Sequence, residues 1–230
     1  MKNNLSLITT SLCLAMYATS LSAGVLDPIS EDEIGRAKAM AMTTTASNVL
    51  ARRSVSVADA AVVSATAAPT VEFLRVQPHR FSKSEYSSNK RWADSTAYDY
   101  RTDELITTVV DLDNNRIISS ERTRNMQPPM AATEIERAIN IVFEDDEERG
   151  ILNAEFTRIT GLTLTSVDQL QYKAFTFFAD SMPNVVNTAS KSCGQQRCAQ
   201  LMLYTHDNIV FEVSPIVNLS AGLVTQRLGY

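Results

Sequence analysis

The sequence predicts an α+β fold made of two tandem units, each a helix packed on a curved antiparallel sheet. Three observations predict it. First, one phrase is written twice. Tyr100, Asp103, Leu105, Ile106, Val110-Asp111-Leu112 and Ile117-Ile118-Ser119 return as Tyr204, Asp207, Ile209, Val210, Val217-Asn218-Leu219 and Leu223-Val224-Thr225. The offset starts at 104 (204 − 100) and ends at 107 (217 − 110), so the copies drift only by loop insertions. A repeat of that length is a domain rather than the turn of a solenoid. Second, a helical pattern followed by strand patterns occurs twice over. Third, Asp113-Asn114-Asn115 and His206-Asp207-Asn208 separate short β-rich runs. Asn and Asp tolerate left-handed backbone angles, which is the turn chemistry of a meander.

Residues 1–23 have the layout of a secretory signal peptide, with Lys2, an apolar run over 5–16 and small residues at Ala18, Ser20, Ser22 and Ala23. The run is too short to span a bilayer. Leu12 before Cys13 argues against lipoprotein processing. The expected product is a secreted or periplasmic protein, with an uncleaved anchor as the rival. Removing the segment leaves 207 residues (230 − 23), enough for a pair of domains.

Residues 24–69 read as an N-terminal helix and an Ala/Ser/Thr-rich linker. Ser30 is an N-cap with Glu33 three positions on, and Glu31-Asp32-Glu33 suit the positive end of a helix over 28–42. Residues 70–127 form the first sheet unit. Its strands are 70–76, 97–101, 105–112 and 116–121, with 83–89 a polar loop. Residues 128–230 form the second helix-plus-sheet unit. Thr133 and Glu136 have capping-box spacing, and Ile135, Ala138, Ile139 and Val142 repeat at helical spacing. Gly150-Ile151-Leu152 mark a second short helix that Gly161 closes. Both faces of 172–178 are largely apolar, which predicts a central strand. Further strands are expected over 199–204, 209–213 and 222–226.

Cys193 and Cys198 lie five positions apart in an exported chain, the pattern of a local disulfide. A metal site recruiting His206 and a redox-active pair are the weaker alternatives; a redox pair normally has two intervening residues, and here there are four. The chain carries 21 Lys and Arg against 26 Asp and Glu, a net charge of −5. No basic stripe meets the phosphates of a nucleic acid. Asp111, Asp113 and Asn115 open like a calcium loop, but Arg116 stands at the sixth position and Arg122 at the twelfth, so a hairpin turn explains them. The acidic run 144–148 reads as a solvated helix flank. His79 and His206 each sit beside turn residues, and Trp92, Tyr86, Tyr98 and Tyr100 read as packing aromatics. With seven glycines in the chain, no glycine-rich phosphate loop exists.

Arg91-x-Ala93, Tyr98-Asp99-Tyr100-Arg101, Val109-Val110-Asp111-Leu112, Ile117-Ile118-Ser119, Gln127-Pro128-Pro129, Thr133-Glu134 and Ala138 follow one another in an order that resembles the non-catalytic N-terminal domains of copper amine oxidases. The resemblance implies small α+β units that precede a catalytic β-sandwich. That family's chemistry needs an Asn-Tyr-Asp/Glu tyrosine that becomes a quinone and three copper-binding histidines, two as His-x-His. This chain has two histidines and no His-x-His, and its Tyr98-Asp99 follows Ala97. The expectation is therefore no enzyme, no catalytic residue, no cofactor and no metal. The expected role is an exported accessory or interaction protein with an unknown protein partner. A ligand- or metal-binding module and a docking partner or inhibitor of an exported enzyme are the alternatives.

Overall fold

Antiparallel pairing organises both halves of the chain. The computed structural model describes residues 27–52, 70–83 and 90–229. The expected leader at 1–23, the linker from 53 to 69 and most of the polar loop, 84–89, lie outside those residues. The first half contains α1 (Glu31–Arg52) and the strands β1 (Val71–Pro78), β2 (Trp92–Asp99), β3 (Glu104–Asp111) and β4 (Arg116–Arg124), ordered β1-β2-β3-β4 in one sheet. The second half contains α2 (Ala132–Glu144), α3 (Asp146–Thr160) and the strands β5 (Leu170–Thr176), β6 (Cys198–Thr205), β7 (Val213–Asn218) and β8 (Leu223–Gly229), ordered β5-β6-β7-β8. Helix α1 touches all four strands of the first sheet, and α2 touches all four of the second. Each half is a helix laid on an antiparallel meander, as predicted. Among the described residues no helix is long and apolar enough to cross a membrane.

Ser30 caps α1 as expected: Glu33 accepts from the Ser30 N–H at 2.8 Å, and the Ser30 hydroxyl accepts from the Glu33 N–H at 3.4 Å. The helix continues ten residues past the expected end at 42, because no Gly or Pro stops it before Arg52. Its buried residues Ala37 and Ala41 are small, so helix and sheet approach closely. Small residues answer them on β2, where Ala93, Ser95 and Ala97 alternate and are all buried. This strand begins five residues before its expected start at 97, since small side chains carry little periodic signal.

Three expectations in the second half need correction. The capping box of α2 lies two residues earlier: Glu134 accepts from the Ala131 N–H at 2.8 Å, while the Thr133 hydroxyl turns to Glu72 on β1. Strand β5 is an edge strand, and Phe175 is 53% exposed on it. Its second apolar face is explained by Phe177, which packs with Cys193, Cys198, Ile216 and Leu228 beneath the disulfide loop. The strand expected over 209–213 lies instead at Val213–Asn218. Pro215 hides it, because a proline inside a central strand removes a ladder donor. The neighbouring Ser214 hydroxyl supplies that bond, donating to the Leu201 carbonyl at 2.7 Å.

Cys193 and Cys198 form a disulfide, with Cα atoms 5.4 Å apart. The closed loop is short, so reduction should cost about 2 kcal/mol of stability through the unfolded chain. Urea unfolding with and without reductant measures it; an unchanged midpoint would refute the assignment of a stabilising role.

The largest core cluster is shared by the halves. Tyr98, Tyr100 and Leu105 from the first sheet pack in it with Ala138, Ile139 and Val142 of α2, Leu152 and Phe156 of α3, and Leu201 and Leu203 of β6. A separate cluster under α1 joins Ala37 to Ala93, Val110 and Leu112.

Candidate functional site

The strongest electrostatic feature is a buried latch that occurs twice. In the first unit the Arg91 guanidinium, at the entrance to β2, binds both oxygens of Glu33 at 2.8 and 2.9 Å. It also donates to the carbonyls of Asp27 and Pro28 at 2.6 and 2.7 Å. In the second unit Arg197, at the entrance to β6, binds both oxygens of Glu134 at 2.8 Å each. It donates to the carbonyls of Pro128 and Pro129 at 2.6 and 3.2 Å. In both units the carboxylate is the third helical residue and reaches back to the backbone N–H that precedes the helix. Four residues on, an alanine faces the sheet, Ala37 or Ala138.

The correspondence continues outward. Arg36 donates to the Leu112 carbonyl at 2.9 Å, and Arg137 to the Leu219 carbonyl at 3.0 Å. The Leu112 N–H donates to Arg91 and the Leu219 N–H to Arg197, each at 2.8 Å. Pairing register slips between Val109 and Val110 and again between Ile216 and Val217. The tight turns that follow place Asn115 at φ 48° and Gly222 at φ 71°. One part of the sequence alignment is re-phased. Glu72 lies across from Tyr98 and Gln171 across from Tyr204, so Tyr98, not Tyr100, matches Tyr204. The offset there is 106 (204 − 98). Tyr100 then matches His206.

The second latch also receives the first unit. The Tyr100 hydroxyl donates to Glu134 at 2.6 Å and meets Glu72 at 2.9 Å. Glu72 accepts from Arg137 at 2.8 Å and from the Thr133 hydroxyl. Arg137 lies over the Tyr100 ring, 4.4 Å from its centre, and Arg197 lies over Tyr98 at 5.5 Å. Asp103 accepts from the hydroxyls of Ser220 at 2.5 Å and Tyr98 at 3.4 Å. Both members of the Glu134–Arg197 pair are fully buried.

Physical causes of the protonation states follow from these contacts. Hydrogen bonds from Arg91 hold the Glu33 carboxyl at about 2 against an ordinary 4.5, with burial opposing. Burial pushes Glu134 up, but the Arg197 guanidinium outweighs it and keeps the carboxyl below its usual range. Burial drives both Tyr98 and Tyr100 well above the ordinary phenol value. Burial also raises Asp103. Each Glu134 oxygen already takes two donors, so this carboxylate is an ionised, oriented anchor.

Beside the junction lies a polar cleft of about 710 Å³, lined by Arg101, Asp103, Arg124, Asn125, Gln195 and Gln196. Two of its backbone corners, Asp103 and Asn125, hold φ of 52° and 57°.

Residues singled out from the sequence fall elsewhere. Asp111 accepts from Asn114 and Arg116, Asp113 from the Arg91 N–H, and Asn115 from Arg36, so the calcium-like oxygens serve their own turn. In the acidic run, Asp145 caps α3, accepting from the N–H groups of Glu147 and Glu148 at 3.0 and 3.1 Å. Arg227 pairs with Glu147 and Glu148 at 2.5 and 2.9 Å. His79 contacts Asp94 at 2.6 Å beside Phe81 and Trp92. His206 is exposed in the other unit, 2.9 Å from the Asp168 carbonyl. Among the described residues no group of three His, Cys, Asp or Glu is placed to hold a metal ion. Two histidines in separate units do not fit a three-imidazole copper centre. Glu33, Arg91 and Glu134 are marked in the sequence, but neither Arg197 nor the pairings are, although Glu-x-x-Arg-Ala at 33–37 and 134–138, and Arg-x-Ala at 91–93 and 197–199, spell them out.

No protein-family model and no curated protein matches the chain. Among solved structures it is similar to a copper-containing benzylamine oxidase from Hansenula polymorpha, with a TM-score of 0.50 at 12% identity. The match covers 90% of this chain and 30% of that one. At this identity the likeness is one of fold: the chain resembles an amine oxidase domain region and spans under a third of the oxidase.

Proposed function

We propose that the chain is an exported, non-enzymatic accessory protein, a rigid two-unit body like the non-catalytic N-terminal part of copper amine oxidases. The observation that carries this reading is the use made of its buried charge. Glu33, Arg91, Glu134 and Arg197 are engaged by each other, by backbone groups and by the side chains of Ser30, Tyr100 and Gln127, an arrangement that holds charge in place. The fold likeness supports the same reading, and fold alone transfers no activity. The disulfide supports export, since such bonds persist in oxidising compartments.

A second reading, a ligand-binding module, is favoured by the junction cleft, where Arg101 and Arg124 could engage an anionic ligand. One set of assays separates the two. The purified full-length chain, supplied with copper and primary amines, is expected to consume no oxygen and to lose its copper on dialysis. Turnover of any substrate class, abolished by a single substitution that leaves circular dichroism intact, overturns the accessory reading. Saturable binding of a dicarboxylate that vanishes in Arg101→Ala moves the assignment to the binding module.

A further inference from the structure

The contact between the units is heterologous: the far end of the first sheet sits on the helix-start end of the second unit. Such a contact uses two different surfaces and does not close on itself. Because the units are copies, each chain carries a second version of each surface, which lies outside this junction among the described residues. The receiving surface of the first unit lies around Asp32, Glu33, Arg36 and Asp113. The far end of the second unit presents Gln171, His206 and Asn208.

These second versions differ from the joined ones in a correlated way. In the joined pair, Glu72 accepts from Thr133. The equivalent positions hold Gln171 and Asp32. In the joined pair, Asp103 accepts from Ser220. The equivalents are Asn208, whose φ of 63° matches the 52° of Asp103, and Asp113. In the joined pair, Tyr100 donates to Glu134. The equivalents are His206, whose Nε2–H is taken by the Asp168 carbonyl at 2.9 Å, and Glu33, buried against Arg91, so this third bond is not carried over. In the first two pairs the acid has moved to the opposite side and an amide donor replaces it. Both of these pairs remain complementary. The same local contact is kept as well: His206 meets Gln171 at 3.4 Å, where Tyr100 meets Glu72 at 2.9 Å. Asp32, Arg36, Asp113, His206 and Asn208 are all exposed, so the groups are available.

We infer that the chain associates head to tail with a second copy of itself, the far end of one molecule's second unit docking on the receiving surface of the next molecule's first unit. The contact repeats two polar pairs of the internal junction with acid and amide exchanged, and places Gln171 beside Arg36 where the junction has the Glu72–Arg137 ion pair. The exchange also prevents a mispaired register, because the acid edge of the first unit would meet acids on the free receiving surface.

Sedimentation of the full-length chain across a concentration series tests this. The unsubstituted chain is expected to show a mass that grows with concentration. The variant Gln171→Glu/Asn208→Asp places acids against Asp32 and Asp113 and should weaken association about tenfold or more. Adding Asp32→Thr and Asp113→Ser copies the internal junction on both sides and should restore it. These positions lie outside the buried latch, and circular dichroism checks the fold of each variant. A chain that stays monomeric at every concentration overturns the inference. So does association that the substitutions leave unchanged.

Discussion

Arg197→Met is expected to destabilise the protein by about 3–5 kcal/mol, because it strands the Glu134 carboxylate in a fully buried site without its counter-charge. Glu134 and Arg197 are both at 0% side-chain exposure, so the orphan keeps only the Tyr100 hydroxyl and the Ala131 N–H as donors. In the same step the Pro129 carbonyl loses its Arg197 donor, and the Pro128 carbonyl keeps only the Thr176 hydroxyl. Removing both charges in Glu134→Leu/Arg197→Met should return much of the loss, since well-packed apolar residues often replace a buried pair at little cost. Urea midpoints of the single and double variants form the test. A single variant within about 1 kcal/mol of the parent would mean that the pair contributes no more than a surface bridge.

Acid should unfold the protein through the carboxylates that its arginines hold ionised. Glu33 has a folded value of about 2, below its ordinary 4.5. The unfolded chain therefore takes up this proton first as pH falls. The stabilisation is complete above about pH 5 and is lost between there and about pH 2; for this one group it amounts to about 3 kcal/mol. Glu134, Glu104 and Asp111 are also lowered, where bonds from arginine or the backbone outweigh burial, and they act with the same sign. Asp103 and Glu148 are raised, chiefly by burial, and oppose it. Stability measured against pH should be flat near neutrality and should fall below about pH 5, with a shallower fall in Arg91→Met. A rise in stability from pH 5 to pH 3 would contradict the assignment.

The helix of the second unit was legible because Ile135, Ala138, Ile139 and Val142 keep one apolar face. The hairpin turns were legible because Asn115 and Asn208 supply positive φ. Three things were hidden, each for a physical reason. Strand β2 buries alanine and serine against a helix that also offers alanine, so neither shows amphipathicity. Strand β7 contains Pro215, whose missing donor is replaced by a serine hydroxyl that no propensity records. The latches unite residues 58 and 63 positions apart, and each member read alone resembles a surface charge. Only the recurrence of both motifs, at offsets of 101 (134 − 33) and 106 (197 − 91), reveals them.

The carbonyls that Arg197 grips belong to the connection between the two halves. A connecting segment is ordinarily where a two-part protein swings. Here any swing must first break bonds on which the second half depends for its own cohesion. The angle between the parts is consequently as durable as the fold, and the two halves keep a constant spacing.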